Sequence, residues 1–294
     1  MGALRSQERK GTSMNEKKTV WVTGAAGFVG GEIARRIADY GYNVVGTDTE
    51  VSVCDDEGLQ AFANELHPDI VINAAGIPRF ATGLSNRIKA YEVNALGAKN
   101  VAVAANQVGA FLVQISTDDV FPPRMAEAAN EFDSPHPETP YGKSKRAGEV
   151  MVRDIMPDRS LIVRSSWLYG TTGGMVKHSL DAAKAGDKVK MRTDQISSPT
   201  SISTYVSFLE KAIAKEASGT LHIVGSGTCS RYEFASKVLE LCGYDPQAVL
   251  VPSADLVTAE QVLLESLMLE MFGVELPAWE KDLESFLVAE GLAK

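Results

Sequence analysis

The chain has 294 residues, of which 45% are hydrophobic and 23% charged, and its formal net charge at pH 7 is −9. This composition is typical of an ordinary soluble globular protein with a substantial buried core. The acidic excess argues against a general nucleic-acid or anionic-membrane surface, because neutralising phosphates requires clustered Lys and Arg. No stretch approaches the roughly 20 apolar residues of a membrane span. We therefore expect small-molecule partners.

The three cysteines and the N-terminal segment bear on the cellular compartment. Cys54, Cys229 and Cys242 are odd in number and have no C-x-x-C spacing. This favours reduced, structural thiols and a cytoplasmic location over a disulfide framework or a zinc site. Residues 1–16 are polar and lack the apolar core of a signal peptide, so we expect a flexible leader there.

The first half of the chain alternates short β-branched runs with longer helical stretches. The runs are "TVWVTG", "NVVGTD", "DIVINAAG", "AFLVQIST" and "SLIVRSSW". Buried runs separated by helices indicate βαβ units and a parallel sheet that is covered on both faces. The pattern predicts an α/β fold of the doubly wound, Rossmann type.

After Gly170 the alternation becomes irregular. Helices are predicted near 175–185, 203–215 and 231–242, with one strand at "LHIVG". We expect this half to supply a smaller C-terminal substrate-binding lobe and to return one or two segments to the main sheet.

The predicted domain division follows from this change of pattern. It places a dinucleotide-binding domain at 17–170, to which 196–225 returns. The substrate-binding lobe is predicted to consist of 171–195 and 226–294.

A glycine-rich turn follows the first predicted strand. Gly24, Gly27 and Gly30 stand between this strand and the next helix, with the spacing G-x-x-G-x-x-G. Glycines at such a turn allow a pyrophosphate to approach the backbone closely, and the helix N-terminus meets its charge. The turn predicts a nicotinamide dinucleotide cofactor.

Acidic residues follow the second predicted strand. Asp48 ends this strand, where a carboxylate can accept hydrogen bonds from the adenosine ribose and repels a 2′-phosphate. It slightly favours NAD(H) over NADP(H), although an ordinary loop aspartate stays an alternative. Asp55 could meet the adenine edge or simply begin a solvated helix.

Small residues follow the third predicted strand. Ala74, Ala75 and Gly76 would let the end of this strand lie against the cofactor. Asn94, in the next helix, could be an inward polar anchor or a satisfied surface residue.

The segment "PYGKSKRAGE" places Tyr141 and Lys145 one turn apart on a helix that begins at Pro140. The hydroxyl of Thr117, at the end of the fourth strand, completes a set for proton transfer to a carbonyl. In this set the lysine is expected to lower the pKa of the tyrosine by about three units, which needs roughly 4 kcal/mol. The alternative is that Lys145 pairs with Glu149 on a solvated face.

Several segments together resemble a known family. "HPDIVINAAG", "PYGKSKRAGE", "IVRSSWLYG" and "DQISSPTS" are similar to those of the extended short-chain dehydrogenases/reductases, and most closely to the dTDP-4-dehydrorhamnose reductases. The resemblance implies NAD(P)H-dependent reduction of a 4-keto group on a nucleotide-activated deoxysugar, as in dTDP-L-rhamnose biosynthesis.

The resemblance also implies roles for individual residues. Thr117, Tyr141 and Lys145 would be catalytic, and Thr117, Asp118 and Trp167 would contact the substrate. No metal is implied at the active site, and a homodimer is left open. The implied cofactor-binding residues are Gly24, Gly27, Phe28, Val29, Gly30, Asp48, Asp55, Ala74, Ala75, Gly76, Tyr141 and Lys145.

The chain departs from the family pattern at two places. Asp119 replaces the usual aromatic residue, and "TDD" approaches the Thr-Asp-Glu of sugar-nucleotide 4,6-dehydratases. A dehydratase or epimerase is therefore an alternative function, unless Asp119 is simply a solvated loop residue. The C-terminal lobe reads "VPSADLVTAEQVLLESLMLEMFG" where the family carries a basic Ala-Arg-Arg-Pro-like segment. The identity of the nucleotide sugar therefore stays open. A non-catalytic NAD(P)-binding regulatory subunit, similar to the β subunit of methionine adenosyltransferase, is a further alternative.

Overall fold

The computed structural model describes residues 17–82, 86–255, 260–271 and 273–294. The predicted leader at 1–16 lies outside the described residues. The strands are β1 (Thr19–Thr23), β2 (Asn43–Thr47), β3 (Ile70–Asn73), β4 (Phe111–Ile115), β5 (Ser160–Arg164), β6 (Leu168–Tyr169), β7 (Val189–Arg192), β8 (Gln195–Ser197), β9 (Thr200–Ser201), β10 (Gly219–His222), β11 (Cys229–Ser230), β12 (Leu250–Ser253) and β13 (Glu260–Gln261).

The helices lie between these strands. They are α1 (Phe28–Ile37), α2 (Asp56–Leu66), α3 (Arg87–Tyr91), α4 (Ala98–Val108), α5 (Pro140–Ile155), α6 (Gly174–Ala185), α7 (Ile202–Ala214), α8 (Arg231–Leu241), α9 (Pro246–Val249), α10 (Leu267–Met271) and α11 (Trp279–Ala289). A π-helical turn, Glu92–Gly97, joins α3 to α4. No helix among the described residues has both the length and the apolar character needed to cross a bilayer.

The central sheet has six parallel strands in the order β10-β5-β4-β3-β1-β2. The predicted doubly wound α/β fold is confirmed. The chain runs from β1 outward to β2 and then returns to β3 on the other side of β1. Ligands of such sheets bind at the carboxyl edge where the strand order reverses. Here that point lies between β1 and β3.

Alternating side chains of the central strands enter two apolar layers. Val20 and Val22 of β1 pack into the cluster that contains Ile33 of α1. Trp21, between them, packs on the opposite face in the cluster that contains Leu59 of α2. Both faces of the sheet are therefore buried, which explains why the strands read as continuous apolar runs.

The C-terminal half contributes one strand to the main sheet and builds three small sheets. β10, within the 196–225 segment, pairs with β5 at the edge of the main sheet. The small sheets are β11-β8-β13, β12-β7 and β6-β9. The predicted strand at 160–167 is shorter in the structure, because β5 ends at Arg164 and Trp167 lies before β6. The domain division itself stays a prediction.

Candidate active site

The glycine turn after β1 is packed directly on the end of β3. Gly24 has φ +70°, and a Cβ added there would lie 2.6 Å from the Cα of Ala75. A Cβ at Gly30 would lie 2.2 Å from the carbonyl oxygen of Gly24. The turn therefore needs glycine at both positions, and the small residues after β3 leave space for it.

A cleft of about 320 Å³ opens beside this turn. Gly27, the N-cap residue of α1, has no side chain with which to cap the helix, so the amides of the first turn remain available to an anion. This backbone fits the pyrophosphate of a dinucleotide. The lining residues are Gly24, Gly27, Asp48, Thr49, Ser52, Val53, Cys54, Ala74, Ala75, Gly76, Ile77, Lys89 and Val93.

The two acidic residues predicted to hold adenosine occupy different environments. Asp48 lines the cleft and accepts a hydrogen bond from the amide of Ala26 at 3.1 Å. Asp55 caps α2 by accepting the amide of Gly58 at 3.0 Å, and its neighbours Val53 and Cys54 line the cleft instead. A role for Asp55 at the adenine stays a prediction.

Three further predicted cofactor residues lie at the start of α1, outside the cleft lining. They are Phe28, Val29 and Gly30. The ring of Phe28 packs on the turn after β6, where a Cβ added at Gly173 would lie 2.7 Å from its Cγ atom. Their backbone, rather than their side chains, is the part that a pyrophosphate could reach.

Asn94 lies in the π-helical turn and is buried. Its side chain accepts the amide of Ile77 at 2.8 Å, donates to the carbonyl of Ile77 at 3.2 Å and donates to the hydroxyl of Ser144 at 2.9 Å. Asn94 is thus the inward anchor, not the surface residue. It joins the loop after β3 to helix α5.

Helix α5 begins as its sequence predicts. Thr139 is the N-cap, accepting the amide of Gly142 at 3.0 Å, and Pro140 is the first helical residue. Tyr141 therefore lies in the first turn, with Lys145 one turn later.

Lys145 is buried, and its ammonium donates to the carbonyl of Ile115 at 2.6 Å. Glu149 is fully buried and pairs with Arg164 at 2.9 Å, so the alternative of a solvated Lys145–Glu149 pair is wrong. Burial lowers the pKa of Lys145 to about 8, and the nearby Glu149 opposes the shift. A Cβ added at Gly76 would lie 3.9 Å from the Lys145 nitrogen, which places this charge beside the cofactor cleft.

Tyr141 has a pKa that differs from the sequence-based expectation. Burial is the main cause that raises its pKa above the ordinary value, and the carboxylates of Asp119 and Asp118 add to the rise. The neighbouring hydroxyl of Thr117 lowers the pKa of Tyr141 by less. The expected lowering of the Tyr141 pKa by Lys145 is wrong: burial and the charges of Asp119 and Asp118 oppose the phenolate, and the groups that lower the pKa are Thr117 and Arg79.

A second pocket, of about 160 Å³, lies beyond Thr117. At its base the buried carboxylate of Asp118 accepts hydrogen bonds from Ser166 at 2.8 Å and from Thr117 at 3.0 Å. Trp167 forms part of the wall. The lining residues are Arg79, Thr117, Asp118, Asp119, Ser166, Trp167, Ile196, Ser197, Arg231, Glu260 and Val262.

Asp119 is not a solvated loop residue. Only 12% of its side chain is exposed, and it pairs with Arg79 at 3.2 Å. Arg79 also forms an ion pair with Glu260 of β13, so it connects the turn after β3 to β13 at the pocket. Burial and the adjacent Asp118 raise the pKa of Asp119 to about 7.

The remaining polar clusters show no cation site. Among the described residues there is no group of three or more His, Cys, Asp or Glu side chains placed to hold a metal ion. Glu32 is buried, and its carboxylate accepts hydrogen bonds from Arg35, Arg36 and Thr172. The three cysteines are free thiols: Cys54 is exposed, and Cys229 and Cys242 are buried.

Comparison with known proteins decides the family. The family model described as "RmlD substrate binding domain" matches residues 18–291. The chain belongs to this family. The resemblance to extended short-chain dehydrogenases/reductases that the sequence predicts is confirmed by it and by the relatives.

The relatives cover most of the chain. Spore coat polysaccharide biosynthesis protein SpsK of Bacillus subtilis is 35% identical, over 80% of this chain and 83% of that protein. dTDP-4-dehydrorhamnose reductase of Escherichia coli is 32% identical, over 74% and 76%. The crystal structure of dTDP-4-dehydrorhamnose reductase from Bacillus anthracis in complex with NADP has a TM-score of 0.86 and 33% identity, covering 93% of this chain and all of that one.

Two arginines of this RmlD-family pocket escape sequence reasoning. Arg79 lies in a short 3₁₀ turn after β3, and its partner Glu260 is 181 residues away in the sequence. Arg231 is the first residue of α8, and its guanidinium lies 4.2 Å from the ring centroid of Trp167. For Arg231, the one available signal is that arginine is scarce after Arg164, where only Arg192 and Arg231 occur.

Proposed function

We propose that the protein reduces the 4-keto group of a nucleotide-activated deoxysugar with a nicotinamide cofactor. One arrangement carries the proposal: Thr117 lines the pocket of about 160 Å³ and influences the pKa of Tyr141, while the Lys145 nitrogen lies 3.9 Å from a Cβ added at Gly76 in the cleft of about 320 Å³. The relatives named dTDP-4-dehydrorhamnose reductase support this substrate class. In this proposal the main sheet holds the cofactor, and the C-terminal lobe closes the substrate pocket.

The roles of the residues follow from their positions. When bound, the nicotinamide supplies a hydride to the carbonyl carbon. Tyr141 donates its proton to the carbonyl oxygen, and its raised pKa keeps the hydroxyl protonated at neutral pH. Thr117, whose hydroxyl lowers the pKa of Tyr141, orients the same carbonyl oxygen. Lys145, fixed by the carbonyl of Ile115, keeps a positive charge near the cofactor cleft at neutral pH.

The cofactor proposed as preferred is NADH. Asp48 lines the cleft with its carboxylate turned to the glycine turn, and a 2′-phosphate placed beside it would be repelled. The Bacillus anthracis reductase was solved with NADP, and a structure of the same fold at 19% identity contains NAD, so a nicotinamide dinucleotide is common to both.

The test is Tyr141→Phe, which removes one hydroxyl and little volume. With dTDP-4-dehydrorhamnose and NADH or NADPH, we expect kcat to fall by at least about 100-fold, because a positioned general acid contributes that much. The exposed Tyr40→Phe is the matched control and should keep wild-type turnover. If Tyr141→Phe turned over within a few-fold of wild type, Tyr141 would not be the proton donor.

Water elimination is a second candidate, since Asp118 and Asp119 are adjacent carboxylates in the pocket and the pKa of Asp119 is raised to about 7. The ion pair of Asp119 with Arg79 speaks for a fixed wall residue instead. Conversion of dTDP-glucose with NAD⁺ into a 4-keto-6-deoxy product, detected by mass spectrometry as loss of water, would decide for elimination.

A further inference from the structure

Arg231 stands out among the charged groups of the substrate pocket because of its partners. Its Nε donates to Gln195 at 2.7 Å and its Nη1 donates to the sulfur of Met175 at 3.4 Å. Both partners are neutral, and no carboxylate of the described residues lies within 4.0 Å of the guanidinium. Since a guanidinium has five N–H donors, most of its hydrogen-bonding capacity remains unused.

The carboxylates of the same pocket are already satisfied. Asp118 accepts hydroxyl groups of Ser166 and Thr117, while Asp119 and Glu260 share Arg79. Arg79 is thereby neutralised, whereas Arg231 is influenced by these carboxylates only at longer range. The cation left to meet a ligand is Arg231.

The position of Arg231 in its helix is unfavourable for a cation. It is the first residue of α8, an eleven-residue helix whose N-terminus Ser230 and Glu233 cap reciprocally. The positive end of the helix dipole repels a cation there. Burial lowers the pKa of Arg231 most, and Arg79, which lines the same pocket, lowers it further by like-charge repulsion. Such a local conflict is typical of a functional position rather than a stabilising one.

The guanidinium is nevertheless held in place. It lies over the face of Trp167 at 4.2 Å from the ring centroid, and Gln195 fixes the inner nitrogen. Arg231 lines the pocket of about 160 Å³, and its Nη2 donates no hydrogen bond to a described residue. A fork held in this way suits bidentate contact with the oxygens of a phosphate or a carboxylate.

We propose that Arg231 binds an anionic oxygen group of the substrate, namely a phosphate of the nucleoside diphosphate. This deepens the proposed function and rests on it for the identity of the anion. A carboxylate on the sugar ring presents the same chemistry to the guanidinium. The assignment also gives the pocket a cationic contact that the unusually acidic C-terminal lobe otherwise lacks among its described residues.

The experiment compares Arg231→Gln, Arg231→Lys and the matched charge-loss control Arg153→Gln. Arg153 is exposed on α5 and donates to Thr220 rather than lining the pocket. Calorimetric titration uses three probes: dTDP, inorganic pyrophosphate and glucuronate. We expect Arg231→Gln to weaken dTDP and pyrophosphate by at least tenfold, about 1.4 kcal/mol, with partial recovery in Arg231→Lys and no change in the control.

Loss of glucuronate binding alone would support an anion site whose ligand is a carboxylate of the sugar. If wild type bound none of the three probes more tightly than Arg231→Gln does, the proposal would be overturned. Thermal melting separates a structural role: removing a cation from a helix N-terminus should leave the melting temperature equal or higher, whereas a clear drop would make Arg231 a packing residue. Since binding is measured without turnover, dTDP binding through Arg231 with no reduction of any 4-keto sugar would refute the reductase and leave this assignment standing.

Discussion

Replacing Lys145 by methionine should abolish reduction and make the protein more stable. Lys145 is 7% exposed, and among the described residues its ammonium donates one hydrogen bond, to the carbonyl of Ile115. Burial lowers the pKa of Lys145 from 10.5 to about 8. At roughly 1.4 kcal/mol per pKa unit, the buried charge opposes folding by about 3 kcal/mol at neutral pH.

The lost hydrogen bond offsets part of this gain. The carbonyl of Ile115 keeps a second donor, Gln114 at 3.0 Å, so no buried acceptor is left unpaired by the substitution. With about 1 kcal/mol subtracted for the lost bond, the free energy of unfolding should rise by about 2 kcal/mol at pH 7. Methionine has nearly the same length as lysine and is apolar, which suits the buried site.

The pH dependence gives the sharper test. Below pH 8, Lys145 is protonated in both the folded and the unfolded state, and the whole burial cost opposes folding. Between about pH 8 and pH 10.5 the unfolded state binds more protons than the folded state, so wild-type stability rises with pH relative to the variant. The advantage of methionine should therefore shrink through this window and reverse above it, where only the lost hydrogen bond of about 1 kcal/mol remains.

Urea denaturation of the cofactor-free protein at pH 7, 8, 9 and 10 measures this difference. Lys143→Met is the matched control, because Lys143 is exposed on the same helix and should show neither a gain nor a pH-dependent difference. A Lys145→Met variant that is less stable than wild type at pH 7, or a difference that stays constant from pH 7 to 10, would refute the reasoning.

Two further predictions concern carboxylates of the two pockets. Because the pKa of Asp119 is raised to about 7, its ionisation puts a negative charge near Tyr141 as the pH rises. In wild type, log kcat/KM should therefore fall as the pH passes through about 7, and this fall should be absent in Asp119→Asn. Identical pH profiles of the two proteins would show that Asp119 has no part in the reaction. Asp48→Asn should raise the NADPH to NADH ratio of kcat/KM by about tenfold, as expected for relieving roughly 1.4 kcal/mol of repulsion, and an unmoved ratio would remove the argument for NADH.

The parts of the site that lie on regular elements could be read from the sequence. The glycine spacing and Asp48 both follow strands of the main sheet, and parallel strands bring their carboxyl ends to one edge. Thr139 and Pro140 fix the start of α5, and so the place of Tyr141 and Lys145. In each case the signal is local, within one strand, turn or helix start.

The rest of the site depends on contacts between distant segments. β8 and β13 have three and two residues, too few to show a period of two, and they place Gln195 and Glu260. Glu149 lies four residues after Lys145, yet it turns to Arg164 because that arginine is fully buried beneath it. Sequence spacing alone does not tell whether a carboxylate such as Glu149 pairs with a lysine one helical turn away or with an arginine on a strand.

The electrostatics of the site set the protonation state of Tyr141 at neutral pH. Asp118 and Asp119 both have raised pKa values, so the pocket disfavours negative charge, including a phenolate on Tyr141. A proton donor needs the neutral hydroxyl, which these surroundings preserve. Abstracting a proton from an alcohol would need the phenolate, which these surroundings suppress. The alkoxide left by hydride transfer is far more basic than a phenolate, so even a weakly acidic Tyr141 can neutralise it, and the neutral hydroxyl populated at neutral pH is the form that ketone reduction uses.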